Sequence, residues 1–366
     1  MHLPPLDVAV YPVVTMSHGR HGGRSTRTMS SISSTSSSSS TSSTGTVTTT
    51  TNTPDFSSIQ RVIRNVFRSS KITVQQVERL QGRLHQVYLA RLTDGSSLVL
   101  KCPPLFNTRM LRHERHSLET ERKTMETLRE YTQLSVPQVI KYDSQGGALG
   151  SPFLMMSFLP GRRLSELSSF LSASERKVVD RTLGAYVRSL TALSATQFGP
   201  THRVFAKKGS SSWREAFLAL LESALRDAED MLVTIPYDSI RYYVGQQSQC
   251  LDEVTEPRLV ALNVCDPQNV LLDERTKQVT GLVGFSNVIW GDPLMSGGIA
   301  DGSEAFFEGY GQCPARTGGA KARQSIYTTY KAVVQVVSHY YRPHLEIDEL
   351  DARRSLTYAL NDLAQM

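Results

Sequence analysis

The sequence predicts an α+β fold in two lobes, a small strand-rich one followed by a larger, mainly helical one. Three observations carry that expectation. Residues 86–101 read as an antiparallel hairpin, with QVYLARL and SLVLK flanking Thr93-Asp94-Gly95. An Asp-Gly pair between apolar runs is a strong hairpin signal. Beyond Pro160-Gly161 the apolar spacing turns helical over long runs, at 173–193, 213–230, 237–250, 322–341 and 346–365. The Pro-Gly pair itself punctuates the chain, dividing an N-terminal lobe at 55–159 from a C-terminal lobe at 160–366.

The elements follow in order. Residues 1–54 form a polar tail in which Ser30 to Thr53 are almost wholly Ser and Thr. Such a segment buries too little apolar surface to offset its ordering entropy and is expected to be disordered. A helix is expected over 56–67, where Phe56, Ile59, Val62, Ile63 and Phe67 make one apolar stripe just after Pro54. After the hairpin comes a long charged helix, Met110 to Glu130, with Leu111, Leu118, Met125 and Leu128 on its buried stripe. Glu114 and Glu121 fall on that stripe and Glu119 does not. A carboxylate on the apolar side needs a partner, and Lys101, on the preceding strand, is the candidate. The plain alternative is a glutamate that snorkels at the stripe's edge. VPQVIKYD and SPFLMMSFLPG then read as two more strands, and a Gly-rich loop spans Ser296 to Gly319.

Composition excludes several classes. The formal net charge is +6, of which the first 54 residues supply +2, too small and scattered for nucleic acid. No run reaches the roughly 18 apolar residues needed for a membrane span. Cys102, Cys250, Cys265 and Cys313 are far apart, which suggests neither a zinc site nor a disulfide framework. The cytoplasm is the expected compartment; Arg20 to Arg27 weakly resemble a mitochondrial presequence, the second reading.

The most informative stretch is Pro257 to Leu294. It reads as a buried strand (Leu259 to Leu262), a polar loop closing on Asp266-Pro267-Gln268-Asn269, and a hairpin of Val270 to Leu272 and Val279 to Val283. Asp273 opens the hairpin turn and is most simply a turn residue. Cys265 sits in the loop with no base beside it and reads as a small core residue.

In their order and spacing, LRHERHSLETE, SPFLMMSFLPG, the Phe198-Gly199-Pro200 run and IWGDPL at 289–294 resemble the aminoglycoside phosphotransferase/choline kinase family. The nearest likeness is to fungal phosphotransferase-family proteins. The resemblance covers about residues 56–345 and implies a protein-kinase-like fold. It implies that Lys101 holds the α- and β-phosphates of ATP and that Glu121 fixes that lysine. Val99 would face the adenine, and Leu154 to Phe158, with Met156 at the centre, would form the hinge that binds the base. Gly82 stands where the phosphate-covering loop belongs, with Arg83 and His85 after it, a poor phosphate cradle.

The family pattern H-G-D-x-H-P-x-N and its second motif each lose a carboxylate here, and Leu262 and Asn263 stand for the first histidine and the glycine. Aligned on Pro267 and Asn269, the catalytic aspartate becomes Val264; in GLVGFSN the metal-binding aspartate becomes Gly284. Asn269 is kept and is the one remaining metal ligand, so Mg²⁺ is expected to bind poorly and ATP binding is left open. Asp266 is the nearest substitute acid. Asp292 matches a structural aspartate of the family. Lys101 and Glu121 can equally be a fold-stabilising ion pair, and Asn269 can serve only to bond loop backbone.

The expected function is therefore a pseudokinase, acting as a binding, regulatory or pathway-accessory protein for an unidentified small molecule or protein partner. The alternative is a divergent ATP-dependent phosphotransferase of fungal secondary metabolism, acting on a small hydroxyl- or amine-bearing molecule through Asp266. A third reading is a small-molecule carrier, in which Asp301, Glu304 and Glu308 suit a cationic ligand.

Overall fold

The structure, a computed structural model, describes residues 53–69, 71–313, 319–343 and 347–366. The polar tail at 1–52, with its presequence-like arginines, lies outside the described residues, as do residues 314–318 of the Gly-rich loop and the expected helix start at Glu346. The chain opens on helix α1 (Phe56–Phe67), whose Asp55 side chain accepts from the Ser58 amide at 2.8 Å. Its Ile59, Val62 and Ile63 are buried against a five-stranded antiparallel sheet. The strands are β1 (Val74–Leu80), β2 (Gln86–Leu92), β3 (Ser97–Cys102), β4 (Val139–Asp143) and β5 (Phe153–Ser157), in the order β1-β2-β3-β5-β4.

The hairpin of β2 and β3 forms as expected, but β1 is an element the sequence did not announce. Its apolar residues Val74, Val77 and Leu80 recur every third position, and a bulge between Val74 and Gln76 breaks the alternation of a plain strand. A second difference lies before helix α2. The long charged helix does not begin at Met110: α2 spans Ser117–Tyr131, and Arg112–Glu114 form a separate 3₁₀ turn. Glu114 accepts from the Leu111 amide at 2.8 Å and pairs with Arg342 at 2.7 Å. Arg112 is held by Asp227 at 2.5 Å and Asp230 at 2.9 Å. These bonds commit residues 111–114 to distant helices, so Glu114 does not share a stripe with Glu121.

After the sheet come the short strand β6 (Arg162–Arg163), the helical turn α3 (Leu164–Leu167) and α4 (Ala173–Thr191), which starts on a Ser172/Glu175 capping box. Strand β7 (Gly199–Pro200), α5 (Thr201–Phe205), α6 (Trp213–Asp230) and α7 (Tyr237–Gln247) follow. The informative stretch folds as β8 (Arg258–Ala261), β9 (Val270–Leu272), β10 (Val279–Leu282) and β11 (Val288–Gly291). These make two small sheets, β10-β9-β6 and β7-β11-β8. The Gly-rich loop contains helix α8 (Glu304–Tyr310), capped by Ser303. Helices α9 (Gly319–Tyr341) and α10 (Glu349–Ala364) close the chain.

One apolar cluster lies among α6, α7, α9 and α10 around Trp213, Phe217 and Tyr327. A second joins α2 and α4 to the small sheets and includes Met156, Val264 and Phe285. Among the described residues no helix is long and apolar enough to cross a membrane.

Candidate functional site

Strand β3 alternates half-buried and buried residues, so Val99 and Lys101 share the face opposite Leu98, Leu100 and Cys102. On that face Lys101 Nζ lies 2.5 Å from Glu121 Oε1 of α2, and the Glu121 side chain is only 1% exposed. Its second oxygen, Oε2, is buried with no hydrogen-bond partner among the described residues. Val99 registers with Met156, which in turn registers with Val139, so Met156 sits inside the sheet.

The sharp bend at Gly82 closes over this face: a Cβ there would lie 2.3 Å from the His85 carbonyl oxygen. Three ties hold the bend down. His85 Nε2 lies 2.9 Å from Ser117 Oγ on α2. Arg83 reaches Asp266 at 3.5 Å. Arg163 of β6 donates to the Gln81 carbonyl at 2.7 Å and to Gln268 Oε1 at 3.0 Å. Asp266 Oδ1 also accepts from the Gln268 amide at 2.9 Å, an Asx turn that shapes the loop. The proposed substitute acid is thus engaged twice, by Arg83 and by its own loop. Arg163 and Gln268 were missed by sequence reasoning; the only signal was an Arg-Arg pair directly after Pro160-Gly161.

Burial, and then the charge of Lys101, pushes the His85 imidazole down to about 4 from its ordinary 6.5. Burial likewise pushes His202 down to about 4. A histidine with a depressed folded pKa is protonated first in the unfolded chain. Stability therefore falls as pH drops from about 6.5 toward 4 and levels off below that. Urea midpoints measured across this window should show that slope, and His85→Asn should flatten part of it.

Val264 and Gly284 stand where the sequence reading expects the family's carboxylates to be missing. Val264 is 4% exposed and belongs to the central apolar cluster with Ala261, Phe285, Val288 and Phe306. Gly284 has φ +82°, and a Cβ there would meet Asn269 Oδ1 at 2.3 Å and its Cγ at 2.7 Å. The Asn269 side chain thus fills the place where an acid at 284 would start. Its Nδ2 donates to the Asn263 carbonyl at 2.9 Å, and its own carbonyl accepts from the Val283 amide at 2.9 Å. A divalent cation here would find one amide oxygen and no carboxylate from 264 or 284. That donor set does not fit Mg²⁺, which ordinarily takes one or two carboxylates beside the phosphates.

Asp292, Asp273, Cys265 and Glu308 have structural partners. Asp292 is 4% exposed and accepts from the Leu294 amide at 3.0 Å, Arg323 Nε at 2.9 Å and the Tyr327 hydroxyl at 2.7 Å. Asp273 Oδ1 caps the hairpin turn through the amides of Arg275 and Thr276. Burial pushes the Cys265 thiol up to about 12, and it donates to the Gly297 carbonyl at 3.2 Å, so it is no nucleophile at neutral pH. Glu308 pairs with Arg181, and Asp301 and Glu304 are exposed.

Solved structures share this architecture. A thermostable mutant of aminoglycoside phosphotransferase APH(4)-Ia, in ternary complex with AMP-PNP and hygromycin B, matches with a TM-score of 0.59 and 14% identity, over 84% of this chain and 99% of that one. The streptomycin-ATP-APH(2")-IIa ternary complex matches with a TM-score of 0.53 and 14% identity, over 86% and 97%. A putative fructosamine-3-kinase from Thermobifida fusca matches with a TM-score of 0.56 and 16% identity, over 84% and 99%. At these identities the likeness shows the fold. No curated protein matches the sequence. The sequence model of the phosphotransferase enzyme family matches residues 76–299, more than half of the chain and the span that holds Lys101, Glu121, Val264, Asn269 and Gly284. This chain belongs to the phosphotransferase enzyme family.

Proposed function

We propose that this chain is a non-catalytic member of its family, a pseudokinase that keeps the frame of a phosphotransferase as a binding or regulatory module. The observation that supports it is the Gly284–Asn269 contact. With φ at +82° and the Asn269 side chain 2.3 Å from a Cβ, position 284 is built for glycine. Phosphoryl transfer rests on positioning and charge neutralisation, and the loop supplies neither the metal ligand at 284 nor a base at 264. The loss of general-base help alone corresponds to roughly 10²–10⁴ in rate. The relatives' complexes with ATP, AMP-PNP and aminoglycosides make a nucleotide and a small polar molecule the natural ligand classes to test.

The alternative reading, transfer through Asp266, needs that carboxylate to leave both Arg83 and the Gln268 amide. The experiment is turnover of ATP with Mg²⁺ or Mn²⁺ and a panel of hydroxyl- and amine-bearing acceptors. ADP release should not exceed that of Lys101→Met. Release that Lys101→Met abolishes would overturn the non-catalytic reading, and its further loss in Asp266→Asn would install the alternative.

A further inference from the structure

We propose that the exposed face of α1 is a docking site for the chain's own Ser/Thr-rich tail once that tail is phosphorylated at Thr48 and Thr51. The proposal goes beyond the non-catalytic reading and does not depend on it. The face is basic and not neutralised. Arg61, Arg64 and Arg68 are exposed, and their spacing sets them within about 60° of one another around the helix axis. Ile59, Val62 and Ile63 hold the opposite side against the sheet, so the arginine side stays turned outward. The acids nearest in sequence are engaged elsewhere: Asp55 accepts from the Ser58 amide at 2.8 Å, and Glu78 lies 3.9 Å from Arg91. Among the described residues none of the three arginines forms an ion pair. Arg64 and Arg68 stand four residues apart, where like charges repel, so an anion there removes a cost as well as adding contacts. Beside them runs a groove of about 340 Å³ lined by Phe56, Ser57, Gln60, Arg61, Arg64 and Asn65.

Reach and chemistry favour the tail as the occupant. It joins the body at Thr53, two residues before the Asp55 cap of α1, so its last residues are tethered beside this face. A short flexible tether gives an effective concentration on the order of millimolar, enough to populate a weak contact. Residues 30–53 carry no charge and a hydroxyl at nearly every position, so phosphorylation turns them into a polyanion. A phosphate brings a charge of about −1.5 to −2, and the arginine fork matches two of its oxygens at once. The spacing agrees as well. Arg61 and Arg68 lie about 10.5 Å apart along a helix axis. Thr48 and Thr51 lie about 10 Å apart in extended backbone. Run back along α1 from Thr53, that spacing sets Thr51 beside Arg61 and Thr48 beside Arg68. A separate Ser/Thr protein kinase supplies the phosphate. The threonine hydroxyl oxygen bonds to the γ-phosphorus of ATP, and the bond from that phosphorus to the β–γ bridging oxygen breaks. ADP leaves, and the hydroxyl proton passes to the kinase's base.

The test uses the full chain with phosphoserine installed at positions 48 and 51. Phosphorus NMR follows the second ionisation of both phosphates, which lies near about 6 for a phosphate in water. Guanidinium groups beside a phosphate favour its dianion, so both midpoints should fall by about half a unit or more, a preference of about threefold. Arg61→Gln/Arg64→Gln/Arg68→Gln changes only exposed side chains and should return both midpoints to the ordinary value. Lys141→Gln/Lys177→Gln/Lys208→Gln removes as many exposed charges elsewhere and should leave the lowered midpoints in place. Midpoints at the ordinary value in the parent chain, or equally lowered in the arginine variant, overturn the proposal. The rival partner is an anionic membrane, tested with vesicles containing about one-quarter phosphatidylserine. Vesicle binding by the unmodified chain that the arginine variant loses, together with unshifted phosphates, would assign the face to lipid and overturn the proposal. Turnover of ATP by the chain would overturn the non-catalytic reading alone, because the phosphate midpoints do not depend on it.

Discussion

Val264→Asp is expected to destabilise the protein by about 4 kcal/mol or more, on the scale of an uncompensated buried charge. Position 264 is 4% exposed and belongs to the same apolar cluster as Ala261, Phe285, Val288 and Phe306, side chains that offer a carboxylate no partner. Against a typical domain stability of roughly 5–15 kcal/mol, that is a large fraction. The new carboxyl should remain neutral in the folded state, its pKa raised by burial. The sign follows: the loss is smallest in acid and grows as pH rises above the ordinary aspartate value near 4. Gly284→Asp adds a separate cost, because a left-handed backbone disfavours side chains by roughly 1–2 kcal/mol and Asn269 must move. Gly284→Ala should show most of that second cost without the charge. Urea denaturation of the three variants at pH 5 and pH 7.5 measures all of this. Wild-type stability in Val264→Asp at the higher pH would mean that 264 is not enclosed by apolar side chains after all.

Lys101→Met is the other large effect. It leaves the Glu121 carboxylate, 1% exposed, without its partner at 2.5 Å, while Oε2 already lacks one. Breaking a buried pair from one side costs about 3–5 kcal/mol, whereas replacing both partners by apolar groups is often near neutral. Lys101→Met/Glu121→Leu should therefore recover most of what Lys101→Met loses. Denaturant midpoints of the two single variants and the double variant form the cycle that checks it. Additive losses would show that the two side chains do not depend on each other, and that the pair does not fasten α2 to β3.

Much of this architecture was legible in the sequence, for identifiable reasons. The β2–β3 hairpin was announced by Asp94-Gly95, and α1 and α6 by apolar stripes that match their helical spans. Stripe geometry left Glu114 and Glu121 as candidate partners of Lys101, the family resemblance singled out Glu121, and the structure joins Lys101 to Glu121. What failed to show depends on partners far along the chain. The start of α2 is set by Asp227, 115 residues from Arg112, and by Arg342, 228 residues from Glu114. Helix α8 hid in a Gly-rich run because it is only 7 residues long, between Ser303 and Gly311. At the site, register against the family pattern is what put Val264 and Gly284 in the expected places of its acids. That Asn269 turns its side chain over Gly284, and that Arg163 ties Gln81 to Gln268, are facts of packing with no local signature.

Turnover assays depend on finding the right acceptor, but metal use by the centre does not. The most direct test is the affinity for ATP measured twice, in excess EDTA and in excess Mg²⁺. With Gly at 284 and the Asn269 amide bonded to Asn263, Mg²⁺ should bring no gain in affinity. A tightening of tenfold or more by Mg²⁺ that Asn269→Ala removes would contradict an emptied phosphotransfer centre.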